Sequence, residues 1–207
     1  MKTCLVCGEI FSRKSTLEPY SHCPKFSCNG YVVEIDDSIL STIQILNRKG
    51  YKTECCCSGY TWGSDPSIHF YSNINENSFQ SIPKNFTSKI DKDGRYEIIL
   101  KISSTTAIER LKSINEGLVD LLEWATNLQT PKSIMVQFDL HNGFEPIEFK
   151  KLVEDKLHLF DLDMFEDDGR VFQLYKILVS PDRFEQLCED VNSFSDANDV
   201  IVDIIEN

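Results

Sequence analysis

Apolar residues recur along this chain at two periods, and the switches between them mark out the elements. Tyr31–Ile35 is a short β-prone run. Asp36 or Asp37 then caps a predicted helix in which Ile39, Leu40, Ile43 and Leu46 share one face until Gly50 stops it. Tyr51–Cys57 reads as a strand closed by a Ser58-Gly59 turn, and Ser67–Tyr71 as another. The polar stretch 72–94 predicts a long loop or weakly structured insertion. Arg95–Ser103 returns to strand character. Thr105 or Thr106 then caps a long helix, with Ile108, Leu111, Leu118, Leu121, Leu122, Ala125 and Leu128 as its apolar stripe. Pro131 ends it, and Ser133–Leu140 predicts a strand.

The last third has its own rhythm. Pro146–Asp155 predicts a short helix. His158–Phe165 and Val171–Val179 predict strands joined through Glu166-Asp167-Asp168-Gly169, where Asp-Gly is a hairpin signal. Ser180-Pro181 opens a helix with Phe184, Leu187, Cys188 and Val191 on its buried face, and Val200–Ile205 closes as a strand. The expected fold class is α+β. Its expected parts are an N-terminal zinc ribbon over 1–35, a central α/β domain over 36–142 and an acidic ββαβ domain over 143–207, with the last boundary near His141-Asn142-Gly143.

Residues 1–30 lack any period but carry four cysteines in two knuckles. Cys4-x2-Cys7 is followed by Gly8, and Cys23-x4-Cys28 by Asn29-Gly30. Tetrahedral zinc is held by four thiolates delivered in this way, so Cys4, Cys7, Cys23 and Cys28 are the expected ligands of one structural Zn2+. His22 is a weaker substitute for Cys23. The segment offers few apolar residues that could bury four inert thiols instead. A site closed by four protein ligands staples a fold and leaves no open position for Lewis-acid chemistry.

A second cluster lies at the end of the strand ending in Cys57. A Ser-Gly turn after a strand can aim backbone amides outward as an anion nest. Cys57, Ser58 and Gly59, with Lys52 nearby and His69 on the next strand, are therefore candidate binding residues, His69 with Cys57 as a Cys/His couple. The opposing reading leaves Cys55, Cys56 and Cys57 as inert thiols on alternate strand faces. With the ribbon before it, Ile43, Leu46-Asn47, Gly50-Tyr51, Thr53 and Cys57-Ser58-Gly59 make a helix–stop–strand–turn unit. This unit resembles a group of small uncharacterised bacterial and phage zinc-ribbon proteins whose turn reads Cys-Ser-Gly-His; Tyr60 stands here at the histidine. More distantly, residues 36–128 are similar to the tRNA wybutosine-synthesis methyltransferase family, whose turn reads Ser-Cys-Ser-Gly-Arg, with Tyr60 at its basic position. That resemblance implies an α/β fold and, beyond it, methyl transfer to RNA.

Charge narrows the partners. The net −12 is uneven: +1 over 1–60, −2 over 61–139 and −11 over 140–207. Phosphate contacts need Lys and Arg, so nucleic acid is expected, if anywhere, at the N-terminal third. The cluster Asp161, Asp163, Glu166, Asp167 and Asp168 does not match a calcium loop; it reads as a solvated hairpin tip or as a surface for a basic partner. No apolar run approaches the roughly 20 residues that span a bilayer, and the first cysteine pair interrupts any signal-peptide core. The expected location is cytoplasmic, where clustered cysteines bind metal rather than pair. No phosphate loop, nucleophile elbow or His-Glu-x-x-His stands in the chain. The leading expectation is a zinc-stabilised, non-enzymatic adaptor or regulator that binds a protein. The alternatives are a methyltransferase-like RNA- or nucleotide-modifying enzyme using Cys57-Ser58-Gly59, and an acidic nucleic-acid mimic.

Overall fold

The computed structural model describes all residues except 12–14, 16, 20, 92–93, 141–144, 160–161, 168–169 and 207. In chain order the described elements are β1 (Lys2–Cys4), β2 (Ile10–Phe11), β3 (Val32–Glu34), α1 (Asp37–Arg48), β4 (Thr53–Cys57), β5 (Ser67–Phe70), a 3-10 turn (Glu76–Ser78), β6 (Phe86–Ile90), β7 (Tyr96–Leu100), α2 (Ala107–Asn127), β8 (Lys132–Leu140), α3 (Pro146–Leu157), β9 (Leu162–Asp167), β10 (Arg170–Val179), α4 (Phe184–Asn198) and β11 (Ile201–Glu206). They form three antiparallel sheets and two compact units: residues 1–71 with 81–128, and residues 72–80 with 129–207.

The first unit holds the sheet β2-β1-β3 and the sheet β4-β5-β7-β6. The second of these is antiparallel throughout, so this region is α+β rather than the expected α/β: no helix crosses between parallel strands. Period 2 decides its faces. Ile68, Phe70, Tyr96, Ile98, Leu100 and Phe86 are buried on one side, while Cys55, His69 and Lys89 lie on the other. α1 buries Ile39, Leu40, Ile43 and Leu46, as its spacing predicts. α2 approaches closely at Gly117, where a β-carbon would stand 2.4 Å from Leu100 Cδ2. Its last carbonyls are taken by Lys49, whose Nζ donates to the oxygens of Ala125 (3.0 Å), Thr126 (2.6 Å) and Leu128 (2.5 Å).

Two expectations fail here. The stretch 72–94 is not loop throughout. Phe86–Ile90 forms edge strand β6 on β7, a strand whose Thr-Ser-Lys centre hides the alternation because one face meets water. The buried face of α2 is also rotated. It consists of Ile114, Gly117, Leu121, Trp124 and Ala125, whereas Ile108, Leu111 and Leu122 are exposed. Trp124 is drawn inward by a polar anchor, its Nε1 donating to Ser81 O at 2.7 Å.

The second unit runs β8-α3-β9-β10-α4-β11 in the strand order β11-β8-β10-β9, a split βαβ arrangement. Its central strand β8 was expected to close the preceding domain; its nine-residue pairing with β10 assigns it here, so the unit is βαββαβ and not ββαβ. The expected boundary at His141-Asn142-Gly143 lies outside the described residues. Segment 72–80 joins the same unit: Ile74 bridges Leu178, Ser78 Oγ donates to Leu178 O, and Asn75 Nδ2 donates to His158 O (2.8 Å). α4 begins at Phe184, three residues beyond Pro181, because 181–183 form a turn. Phe138 sits centrally in the core, edge-on to Phe149, Tyr175 and Phe194.

Candidate functional site

The four ribbon cysteines converge. Their sulfurs all lie within 4.8 Å of one another, with Cys4 Sγ to Cys28 Sγ 3.6 Å and Cys7 Sγ to Cys23 Sγ 3.7 Å. A tetrahedral ion with metal–sulfur bonds near 2.3 Å sets its sulfurs about 3.8 Å apart, so the donor set fits such an ion. Two turns bring the ligands in. Gly8, at φ +71°, donates its N–H to Cys4 O (2.8 Å), while Cys28 N–H donates to Lys25 O (3.1 Å). Gly30 N–H then donates to Cys28 Sγ (3.4 Å). Gly30 is required by space: a β-carbon there would lie 2.5 Å from Cys4 Sγ. Burial pushes the Cys23 thiol up to about 12 and raises that of Cys4, while the Gly30 amide lowers that of Cys28. Ionising all four thiols together needs a cation among them. Among the described residues this is the one group of three or more metal-ligating side chains whose donor atoms all lie within 4.8 Å of one another.

The other candidates are placed differently from the expected pocket. Ser58 is buried, and both its hydroxyl (2.8 Å) and its amide (3.4 Å) donate to the Asp36 carboxylate. An anion at this turn would have to displace a carboxylate of the chain itself. Gly59 takes φ +83° and packs on Pro66, while its N–H donates to Cys57 Sγ at 3.3 Å, the same local bond as at Cys28. Lys52 lies beyond the far end of β4, roughly 20 Å from Ser58 at the rise of a strand, so it does not join the turn. His69 is cross-strand from Cys55, not Cys57, whose partner is Ser67. The His69 ring sits between Asp91 (Nδ1 to Oδ2 3.7 Å) and Glu97 (Nε2 to Oε1 3.4 Å), and Glu97 also meets Lys89 at 2.9 Å. Burial pushes Cys56 up to about 12, and burial with the Glu54 charge raises Cys55, so neither is poised as a thiolate nucleophile.

Sequence reasoning missed the loop that follows the turn. Arg110, from the first turns of α2, reaches back some 45 residues to bind it: Nε donates to Tyr60 O (2.9 Å), and Nη2 donates to Gly63 O (2.9 Å), Ser64 O (3.3 Å) and the Asp65 carboxylate (2.6 Å). Tyr60 N–H donates to Ser64 O at 3.0 Å, closing the loop on itself. The guanidinium is largely shielded, yet the loop holds Trp62 79% exposed and leaves Tyr60 exposed beside it. The one available signal was composition: an isolated Tyr-Thr-Trp-Gly-Ser-Asp-Pro has no apolar partner in sequence that could bury its tryptophan. The arginine that orders it lies too far along the chain to be read locally.

In the acidic third, Asp163, Glu166 and Asp167 line the exposed edge strand β9, and Asp163 pairs with Lys176 at 2.7 Å. Asp161 and Asp168 lie outside the described residues. No helix among the described residues is long and apolar enough to cross a membrane. No family model matches the chain, and no curated protein or solved structure matches it significantly.

Proposed function

We propose that this chain is a zinc-stabilised, non-enzymatic adaptor or regulator of the cytoplasm, and that it engages a protein partner through the Trp62 loop. The observation that carries the reading is the clamped loop, in which four hydrogen bonds from Arg110 hold a tryptophan out in water. Binding normally costs the ordering of loops and side chains; a loop already ordered avoids that cost, and Trp with Tyr is the pair most often found at the energetic centre of protein interfaces. Zinc is the ion the donors favour. Four thiolates suit a soft, tetrahedral, redox-inert cation, and a closed four-cysteine site is structural. The ribbon supports the same partner reading at its knuckle, where Phe26 is 97% exposed beside Lys25. An enzyme working at Cys57-Ser58-Gly59 would need free donors there, and Asp36 engages the hydroxyl and amide of Ser58.

Affinity capture followed by titration of the recovered partner tests this. Trp62→Ala should weaken binding by roughly 30-fold or more, as for an interface anchor, with zinc content and fold unchanged. Undiminished affinity in that variant overturns the reading. S-adenosylmethionine or nucleotide binding that is lost on Ser58→Ala would transfer the function to the enzyme alternative.

A further inference from the structure

α2 carries a second apolar stripe that the core does not use. Ile108 is 83% exposed, Val119 65%, Leu111 48% and Leu122 37%. At 100° per residue these four fall within an arc of about 80°, with exposed Asn115 at its middle. The buried residues Ile114, Gly117, Leu121, Trp124 and Ala125 occupy a separate arc. Such a face on a helix whose other side is already buried marks an interaction surface.

The arrangement of the stripe names its occupant. Leu111 and Val119 stand four residues before and after Asn115; Ile108 and Leu122 stand seven before and after. A two-fold axis perpendicular to two antiparallel helices, passing between their Asn115 residues, therefore sets Ile108 of one copy level with Leu122 of the other, and Leu111 level with Val119. Every layer on one side of the axis reappears on the other, as an isologous interface demands. The single polar layer is Asn115 against Asn115, a side chain that both donates and accepts and so can satisfy its own copy while fixing the register. Charge agrees beside the axis. Lys112, which faces Glu116 within the helix at 3.8 Å, comes within about 3 Å along the axis of the second copy's Glu116, and the contact occurs twice.

We infer that α2 is the two-fold interface of a homodimer, paired antiparallel about Asn115. The contact spans 15 residues, about 21 Å of helix, which places it at the small end of specific interfaces; the dimer dissociates on dilution in the micromolar range. Each copy carries −12, so association tightens as salt screens the mutual repulsion. Arg110 lies about 140° round the helix from Asn115, which leaves the Trp62 loop clear of the pairing face. If that loop is the partner-binding element proposed above, the dimer presents it twice and gains avidity.

Sedimentation velocity of the zinc-loaded full chain across a concentration series tests the pairing without reference to any partner. The expected result is a monomer–dimer equilibrium that Val119→Lys shifts to monomer by at least ten-fold in dissociation constant, with the fold intact because Val119 is exposed. A second measurement is independent of affinity. Asn115→Cys, on the axis, should give a covalent homodimer under mild oxidation well above the background of the unaltered chain. Thr126→Cys should not, because its two copies lie about 33 Å apart along the helices. A monomer at every concentration and salt, or equal cross-linking at 115 and 126, overturns the inference.

Discussion

Residues 1–35 and the second unit differ in what they bury. Among the described residues of 1–35 the buried apolar set is Cys4, Cys23, Val32 and Ile35, while Val6, Ile10, Phe26 and Tyr31 face water. In the second unit fifteen apolar residues, from Ile134 to Val200, form one continuous core around Phe138. Burial at about 25 cal/mol per Å2 can support the second arrangement but not the first. What sets the first region apart is the cluster of Cys4, Cys7, Cys23 and Cys28, whose sulfurs lie within 4.8 Å of one another and are able to hold an ion. The comparison also separates two roles for polar groups. In the second unit the buried Gln173 serves the core, donating to Pro146 O (2.6 Å) and accepting from Tyr175 OH (3.1 Å). In the ribbon the polar atoms aim sulfur.

The largest effect should come from breaking the metal set. Cys4→Ser, or chelation, removes an interaction on the order of 10–16 kcal/mol in structural zinc modules. Metal analysis should fall from one ion per chain to none. Hydrogen exchange should rise across β1 to β3 while β8 and β10 stay protected. Because four thiols must release their protons to bind, the intact site should also lose its ion as pH falls. Protection lost equally in both units would show that the ribbon and the βαββαβ unit are not energetically distinct. In the opposite direction, Phe138→Ala should cost the second unit about 3–5 kcal/mol, through lost burial plus the cavity left among Phe149, Tyr175 and Phe194. Denaturant unfolding should record that loss with zinc content unchanged.

What could be read from the sequence follows from the same contrast. The four-cysteine cluster is legible because a metal-binding set imposes spacing on neighbouring residues, and α1 is legible because Asp36, its apolar stripe and Gly50 lie within fifteen residues. The assignment of β8 was not, since its partners β10 and β11 come 30 or more residues later and no local pattern states which sheet a buried strand completes. The face of α2 was misread for a related reason. Two apolar stripes lie side by side on it, and periodicity alone cannot say which one meets the core; Trp124 reaching Ser81, and Gly117 under Leu100, decide it. At Ser58-Gly59 the end of β4 at Cys57 was foreseen, but not the partner Asp36, which lies 22 residues upstream.

A smaller effect distinguishes the units by pH. Burial pushes the Tyr175 phenol above its ordinary value near 10. A folded pKa raised above the unfolded one contributes stability that is complete below pH 10 and is lost as pH rises beyond it, because the unfolded phenol ionises first. The second unit should therefore weaken above about pH 10, and Tyr175→Phe should remove that alkaline component while forfeiting its bond to Gln173. Alkaline denaturation curves with identical slopes for the two proteins would count against a buried phenol.

The smallest change to stability should come from the acidic edge. Asp163 and Lys176 are both more than half exposed, so their 2.7 Å pair adds little. Asp163→Asn with Asp167→Asn should move unfolding by no more than about 0.5 kcal/mol. Yet residues 140–207 carry −11, a field able to steer a basic partner over distances that salt then shortens. If the partner proposed for the Trp62 loop is basic, the double Asn variant should associate several-fold more slowly at low ionic strength and normally at high, with its dissociation rate unchanged. Trp62→Ala should do the reverse, since contacts in the bound state govern release while long-range charge governs encounter. Stopped-flow rates for the two variants therefore assign each unit its step. Equal association rates at every salt concentration would reduce the acidity of the second unit to a solvated face.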